Sequence, residues 1–422
     1  MSRMSTTPDL PTAAVPPTPS GTDKPDLTAR LLRLVICTLM IGSIPVSGRA
    51  EAESGGHTIS AEVGYVSDLL RNASGGIRSG SAYLQNVDAT FAIDLGPVFG
   101  NGAGSLFAYL LWNDASTFSD RYPGDAQVVS NIDAERALRL YELWYENRHG
   151  DALSLKIGLY DLNSEFDAVD AAALFLNSSH GIIPTYSQTG ENGPSIFPVT
   201  SLSARLQWEI DKSNVLRYAL LDAVPGDPEN PSATAVKLSS REGVLHALEY
   251  NRNFTDALRL GLGAFSYSAE FDTIRETDDG GNPARRDGNT GWYGFAEGNV
   301  YSDATRGRTA SAFVRYGAAN GALNPFDRYI GAGTVMSGFV PRRPEDQIGI
   351  SLAIARCGAD YRAAAGAERH ETAFELTYRA HVHDLIQIQP DIQYIINPGA
   401  DRTLENALVI GVRLELNHGF HH

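Results

Sequence analysis

The chain predicts an all-β fold: a transmembrane antiparallel up-and-down β-barrel of about 16 strands, its interior narrowed by an inward-folded constriction loop. Three observations lead there. Runs of about ten residues with alternating side-chain character recur along the chain, separated by polar or Gly-containing breaks, with almost no sustained helical periodicity. The breaks alternate between short and long. A short apolar segment near the start has the form of an export signal, and no later stretch approaches 18 consecutive apolar residues, so strands must make any membrane crossing.

The export segment comes first. A Pro- and Thr-rich lead precedes Arg30 and Arg33, then LVICTLMIGSIPV at 34–46, then Ala50-Glu51-Ala52. A positive flank, a short apolar core and a small-residue site form a secretory signal, too short to span a bilayer. We expect residues 1–52 to be cleaved and 53–422 to form one barrel domain. The lead is long for such a signal, which points to a true start downstream of Met1. Cleavage would remove five basic and four acidic residues, taking the formal charge from −16 to −17. Nucleic acid is excluded as a partner by that balance. Cys37 lies in the signal, so Cys357 is the one mature thiol and no disulfide framework is available. No cofactor is implied.

Strands are expected to begin near residues 57, 79, 104, 136, 152, 200, 214, 241, 257, 290, 308, 329, 346, 370, 384 and 405. After even-numbered strands the connections are mostly short, as at 149–151 and 211–213. After odd-numbered strands they are longer, as at 69–78, 113–135, 161–199 and 267–289. A barrel with both termini on one side needs this rhythm, with tight turns on the periplasmic end and long loops outside. A sandwich gives no reason for it and would leave edges to protect, whereas closure removes them.

Wall orientation follows from period-two alternation. In LVIGVRLEL, Leu408, Ile410, Val412, Leu414 and Leu416 share one face, while Arg413 and Glu415 lie on the other. The same split places Leu153, Leu155, Ile157 and Leu159 opposite Lys156, and Ile348, Ile350, Leu352 and Ile354 opposite Gln347 and Ser351. Aliphatic rows then face lipid, and charged rows face a water-filled lumen. Tyr141, Tyr145, Tyr250, Tyr316 and Tyr378 suit interfacial girdles.

Three stretches carry a family resemblance: YELWYENRHGDALSLKIGLYDLNSEFDAVDAAALFLNSSHGIIP at 141–184, RPEDQIGISLAIAR at 343–356 and QPDIQYIINPG at 389–399. They resemble the carbohydrate-selective porins of the OprB type. The resemblance implies facilitated diffusion of monosaccharides such as glucose across a Gram-negative outer membrane, through a sixteen-stranded barrel with a charged and aromatic eyelet. Membrane lipid and the barrel-assembly machinery are the expected partners, with homotrimer and monomer both open. Barrels of this kind usually end on an aromatic residue, whereas here Phe420 is followed by His421 and His422.

Something must narrow a sixteen-stranded barrel, and the 39-residue connection 161–199 is long enough to fold inward. It carries Asp161, Asn163, Glu165, Asp167 and Asn177. A sugar-selective path needs charged groups to replace lost water hydrogen bonds, and aromatic faces for C–H surfaces. Glu142, Trp144 and Glu146 share one face of the fourth strand. Lys156, Arg315, Gln387, Gln389, Asp391, Gln393, Arg413 and Glu415 join them by parity. Asp161-Leu-Asn163-Ser-Glu165 begins like a calcium loop, but Phe166 replaces the turn glycine and Ala172 stands where the last carboxylate belongs, so no metal is expected. Catalysis is not expected either: Ser178, Ser179 and His180 are adjacent in sequence without a G-x-S-x-G elbow. A general diffusion porin for small polar solutes is the alternative reading.

Overall fold

Alternating strands each need a partner on both edges, and here the ladder returns to its beginning. The computed structural model describes residues 59–422 apart from 101, 115, 116, 240, 256, 257 and 422. The export segment lies outside the described residues. The strands are β1 (Ile59–Gly76), β2 (Gly80–Asp94), β3 (Ser105–Asp114), β4 (Ala137–His149), β5 (Leu153–Tyr160), β6 (Ser201–Asp211), β7 (Asn214–Asp222) and β8 (Val244–Thr255). They continue with β9 (Leu258–Thr277), β10 (Pro283–Asp303), β11 (Arg308–Ala319), β12 (Phe326–Ser337), β13 (Gln347–Cys357), β14 (His370–His383), β15 (Ile386–Ile396) and β16 (Glu405–His421). Each pairs antiparallel with its neighbours in sequence, and β1 pairs with β16 to close the barrel. Among the described residues no helix is long and apolar enough to cross a membrane.

Two connections expected to be long are tight hairpins. β1 runs on to Gly76, leaving 77–79 as the turn; the Asn72 amide donates to the carbonyls of Gly75 and Arg78 at 2.9 and 3.0 Å. β9 and β10 extend to Thr277 and Pro283, so β10 begins seven residues before its expected start. Their polarity reads as loop because the extension stands clear of the apolar rows. Cross-strand ion pairs carry it instead, Arg285 to Glu270 at 2.9 Å and Arg286 to Glu276 at 2.6 Å.

Outward aliphatic rows are exposed as parity predicts: Leu155, Ile157, Ile350, Ile410 and Val412 all stand on the surface. Tyr141 corrects the girdle assignment. Leu140 pairs with Leu110 and Glu142 with Tyr109, which leaves Tyr141 as the extra residue of a bulge. Parity switches there, so Tyr141 is buried, edge-on to Tyr109 at 5.0 Å.

Inside, residues 161–200 form loop L3, built of three 3-10 turns (Leu162–Ser164, Asp170–Leu174, Ser178–His180) and a short helix, Pro184–Ser187. L3 packs on one side of the lumen. Phe166, Phe175, Ile183 and Tyr186 bury against Phe265, Tyr293, Phe313 and Tyr329, with Tyr186 stacked on Phe265 at 4.1 Å. Each such ring removes apolar surface worth about 1.5–3 kcal/mol from water. Glycines make room for these inward rings; a Cβ on Gly263 would stand 2.1 Å from the Tyr293 ring.

Candidate functional site

Where a loop packs against the barrel wall its backbone is shielded from water, and the wall supplies the partners. Inward glutamates accept main-chain N–H groups of L3. Glu249 takes Asp167 N at 2.7 Å, Glu297 takes Ala171 N at 2.9 Å, and Glu375 takes Leu176 N and Asn177 N at 2.6 and 3.1 Å. Donors on the wall serve the carbonyls. Arg315 donates to Asp167 O at 2.9 Å, Gln389 to Leu174 O at 2.7 Å and Tyr329 to Ser179 O at 3.0 Å. Gln393 bridges to the preceding loop, L2 (115–136), by donating to Val129 O at 2.8 Å, and it accepts from the Asn177 amide at 3.1 Å. Glu371 holds L2 through Ala126 N and Gln127 N at 2.8 and 2.9 Å.

Of the residues singled out from sequence, Asp167, Asn177, Arg315, Gln389, Asp391 and Gln393 are therefore brought together as a fastening, all nearly fully buried. Asp391 accepts from Gln393 at 3.1 Å. Arg413 reaches across the seam to Asp68, and Glu415 follows it at 4.0 Å. Gln387 pairs in register with Glu415. These two stand apart from the cluster described next.

That cluster joins L3 to β4–β6. Trp144 stacks on Phe107 with centroids 4.8 Å apart and donates its indole N–H to Glu142 at 3.0 Å. Glu142 also accepts Asp161 N at 3.2 Å. Lys156 projects over the Trp144 ring at 4.2 Å and binds Glu165 at 2.9 Å. Cation–π geometry of this kind contributes about 0.5–2 kcal/mol. Arg205 bridges Glu165 and Glu146 at 2.8 and 2.9 Å, and Ser154 donates to Glu146 at 2.6 Å. Burial would raise the Glu165 carboxyl, but Lys156, Arg205 and Arg217 outweigh it and hold it down to about 2. Its oxygens are thus occupied by cationic side chains and Tyr160, which donates at 2.7 Å. Asp161 caps the first 3-10 turn by accepting Asn163 N at 2.9 Å; Asn163 in turn donates to Phe166 O at 3.0 Å.

Sequence reading missed Arg205, Glu249, Glu297, Glu371 and Glu375. The signal was present: Arg205 sits between Ala204 and Leu206, and Glu375 between Phe374 and Leu376, which is the parity that picked out Lys156. Phe107 and Tyr109 carry no such signal, because aromatic side chains suit either face.

Where L3 leaves space, the lumen is open. A cavity of about 850 Å³ lies under L3 on the short-turn side, bordered by Asp170, Ala171, Arg259, Asn299, Gln347 and Arg379. A closed barrel whose inner loop leaves a charge-lined, partly aromatic gap is a membrane channel. This chain belongs to the family of carbohydrate-selective porins, OprB family, whose model matches residues 78–417. It is 25% identical over 316 residues to Porin B of Pseudomonas aeruginosa strain PAO1, covering 66% of this chain and 67% of that protein. In fold it is similar to the high-pH structure of Pseudomonas putida OprB, with TM-score 0.75 and 21% identity over 86% of this chain and 94% of that one. The outer membrane channel DcaP of Acinetobacter baumannii shares the architecture at TM-score 0.52 and 7% identity, over 88% and 100% of the two chains. The chain is accordingly an outer-membrane carbohydrate channel, and family and fold point away from an enzyme.

Proposed function

We propose that the channel passes monosaccharides such as glucose by facilitated diffusion, between L3 and the inner face of β3–β6. The observation that carries this reading is the seam of Trp144, Phe107, Lys156, Glu142, Glu146 and Glu165. It sets an aromatic face beside fixed donors and acceptors at the point where L3 meets the wall. A hexose presents C–H faces and equatorial hydroxyls, and such a seam can replace its hydration on both. Because Lys156 and Glu165 are paired by direct contact at 2.9 Å, a neutral solute need not neutralise either of them. Export by the 1–52 signal, insertion by the barrel-assembly machinery and lipid contact along the aliphatic rows belong to the same reading.

Liposome swelling tests it, with glucose, a disaccharide and amino acids of matched size as solutes. Glucose entry should exceed that of the amino acids, and Trp144→Ala and Glu142→Ala should each lower glucose entry more than amino-acid entry. Entry ordered by solute size alone, unchanged in its ranking by both variants, would leave a general diffusion pore.

A further inference from the structure

β5 and β7 are the shortest strands among the described residues, with 8 and 9 residues, and β6 lies between them. Loop L4 (223–243) crosses over these short strands. It is tied to β4 by Arg139, which donates to Pro231 O at 2.6 Å, and by Thr234, whose hydroxyl oxygen accepts Leu140 N at 2.8 Å. L4 then descends on the outside. Under it lies a second cavity of about 420 Å³, lined by Ile157, Leu202, Ala204, Leu220, Val244 and Leu238.

The first five of these belong to the outward rows of β5–β8. Ile157, Ala204 and Leu220 are consecutive register partners across the sheet, so the groove is continuous with the membrane-facing belt. The roof is apolar too: Leu238 is 68% exposed and Val236 49%, whereas Val224 of the same loop is buried. The polar lining is Ser203, Ser239 and Asp222. Lys237 and Arg241 stand exposed beside the roof, Lys237 in a 2.6 Å ion pair with Asp227.

We propose that this groove holds one acyl chain of a membrane lipid from the leaflet on the long-loop side. β5 falls just short of the about nine residues that a spanning strand needs, and a mismatch of that kind is relieved by local lipid or protein adjustment. The L4 roof raises the apolar surface, and a chain entering from the belt fills the space beneath it. This inference stands on the outer face and is independent of the solute path.

Native mass spectrometry of the full barrel tests it, with a phosphatidylethanolamine of defined acyl chains as probe. After detergent exchange the wild-type barrel should keep one bound lipid. Ala204→Trp, which fills the groove, and Leu238→Asp, which makes its roof polar, should each lower the retained fraction about tenfold. Ala332→Trp, on the outward face of β12, should not, and glucose entry into liposomes should be unchanged in all three, which also shows that they fold. Absence of the adduct, or equal retention in every variant, would overturn the proposal. So would an oligomer mass that vanishes in Ala204→Trp, since the groove would then belong to a second copy of the chain.

Discussion

The Arg315 guanidinium on β11 stands 2.5 Å from the Asp167 carboxylate of L3, with both side chains almost fully buried. Asp167 also accepts Ile183 N at 3.0 Å, and Arg315 reaches the carbonyls of Asp167 and Gly181 at 2.9 and 3.3 Å. One wall residue therefore closes two separate turns of the loop. A guanidinium can do this because its donors fan out in a plane, which an ammonium cannot reproduce.

Arg315→Ala should leave a buried carboxylate and several loop carbonyls without partners. Removing one member of a buried pair costs about 3–5 kcal/mol, and here the cost falls on L3 rather than on the strand ladder. Single-channel conductance should rise and become noisy, while the heat-modified gel shift that reports barrel integrity stays near wild type. Arg315→Lys should lie between. Wild-type conductance in Arg315→Ala would show that the other fastenings suffice.

Acid should loosen the same loop in two windows. His180 of L3 is packed between Phe175 and Phe313, at 5.0 and 5.7 Å. Burial, with Arg315 nearby, pushes its imidazole down to about 3. Above pH 6.5 the ring is neutral whether L3 is docked or not, so it has no effect. As pH falls from 6.5 towards 3 the undocked ring gains a proton that the docked one refuses, and docking weakens, although Asp167, pushed up to about 6 by burial, works in the opposite sense between 6 and its ordinary 3.8. Glu165 acts lower: held at about 2 when docked, it contributes in full above its ordinary 4.5 and is lost as pH falls from there towards 2. Conductance titrated from pH 7 to 3 should begin to rise below 6.5, and His180→Leu should delay the rise to below about 4.5. An identical onset in His180→Leu would sink the assignment.

Gly158 sits on β5 opposite Trp144, with φ +146°. A Cβ there would stand 2.1 Å from Leu143 O and 2.6 Å from Trp144 Cα, both backbone atoms that cannot rotate away. Gly158→Ala should cost about 1–3 kcal/mol by overcrowding and displace Trp144, lowering glucose entry. Gly150→Ala, at φ +62° in an open turn with nothing within 4 Å, should cost about 1 kcal/mol from backbone strain and leave transport alone. Equal effects of the two substitutions on swelling rate would remove the close contact as the cause.

Most of the wall was legible because alternation is a local property. Lys156, Arg413 and Gln389 declare their side by the apolar neighbours on either hand. Two kinds of feature escaped for physical reasons. The bulge at Tyr141 shifts parity by one residue and leaves no mark in composition, so a tyrosine assigned to the lipid interface is buried beside Tyr109. The β9–β10 extension carries many charges with only scattered apolar residues such as Phe271 and Ile274, which in a sequence reads as a loop. The inward loop could be placed by its length, but its attachment depends on residues up to 216 positions away, such as Gln393 with Asn177. No spacing rule reaches that far.

The first and last strands meet through Arg413 on β16 and Asp68 on β1, joined by two parallel bonds of 2.8 Å each and buried. Arg413 also donates to Asn131 of L2 at 2.7 Å, and Asp68 accepts from Ser130 at 2.6 Å, so the closing seam is tied to a lumen loop as well. Every other neighbouring pair of strands is joined directly by a connection, short or long, but β1 and β16 meet with no connection between them. Side-chain contacts across this seam thus carry a share of closure that turns carry elsewhere. Asp68→Ala should strip Arg413 of its nearest counter-charge in a buried site, leaving Glu415 at 4.0 Å, and cost about 3–5 kcal/mol. It should lower the temperature at which the folded band converts to the unfolded one on gels. The matched change at an interior wall pair, Glu297→Ala opposite Arg259, should lower it less. Equal shifts for both variants would mean that the seam bears no special load.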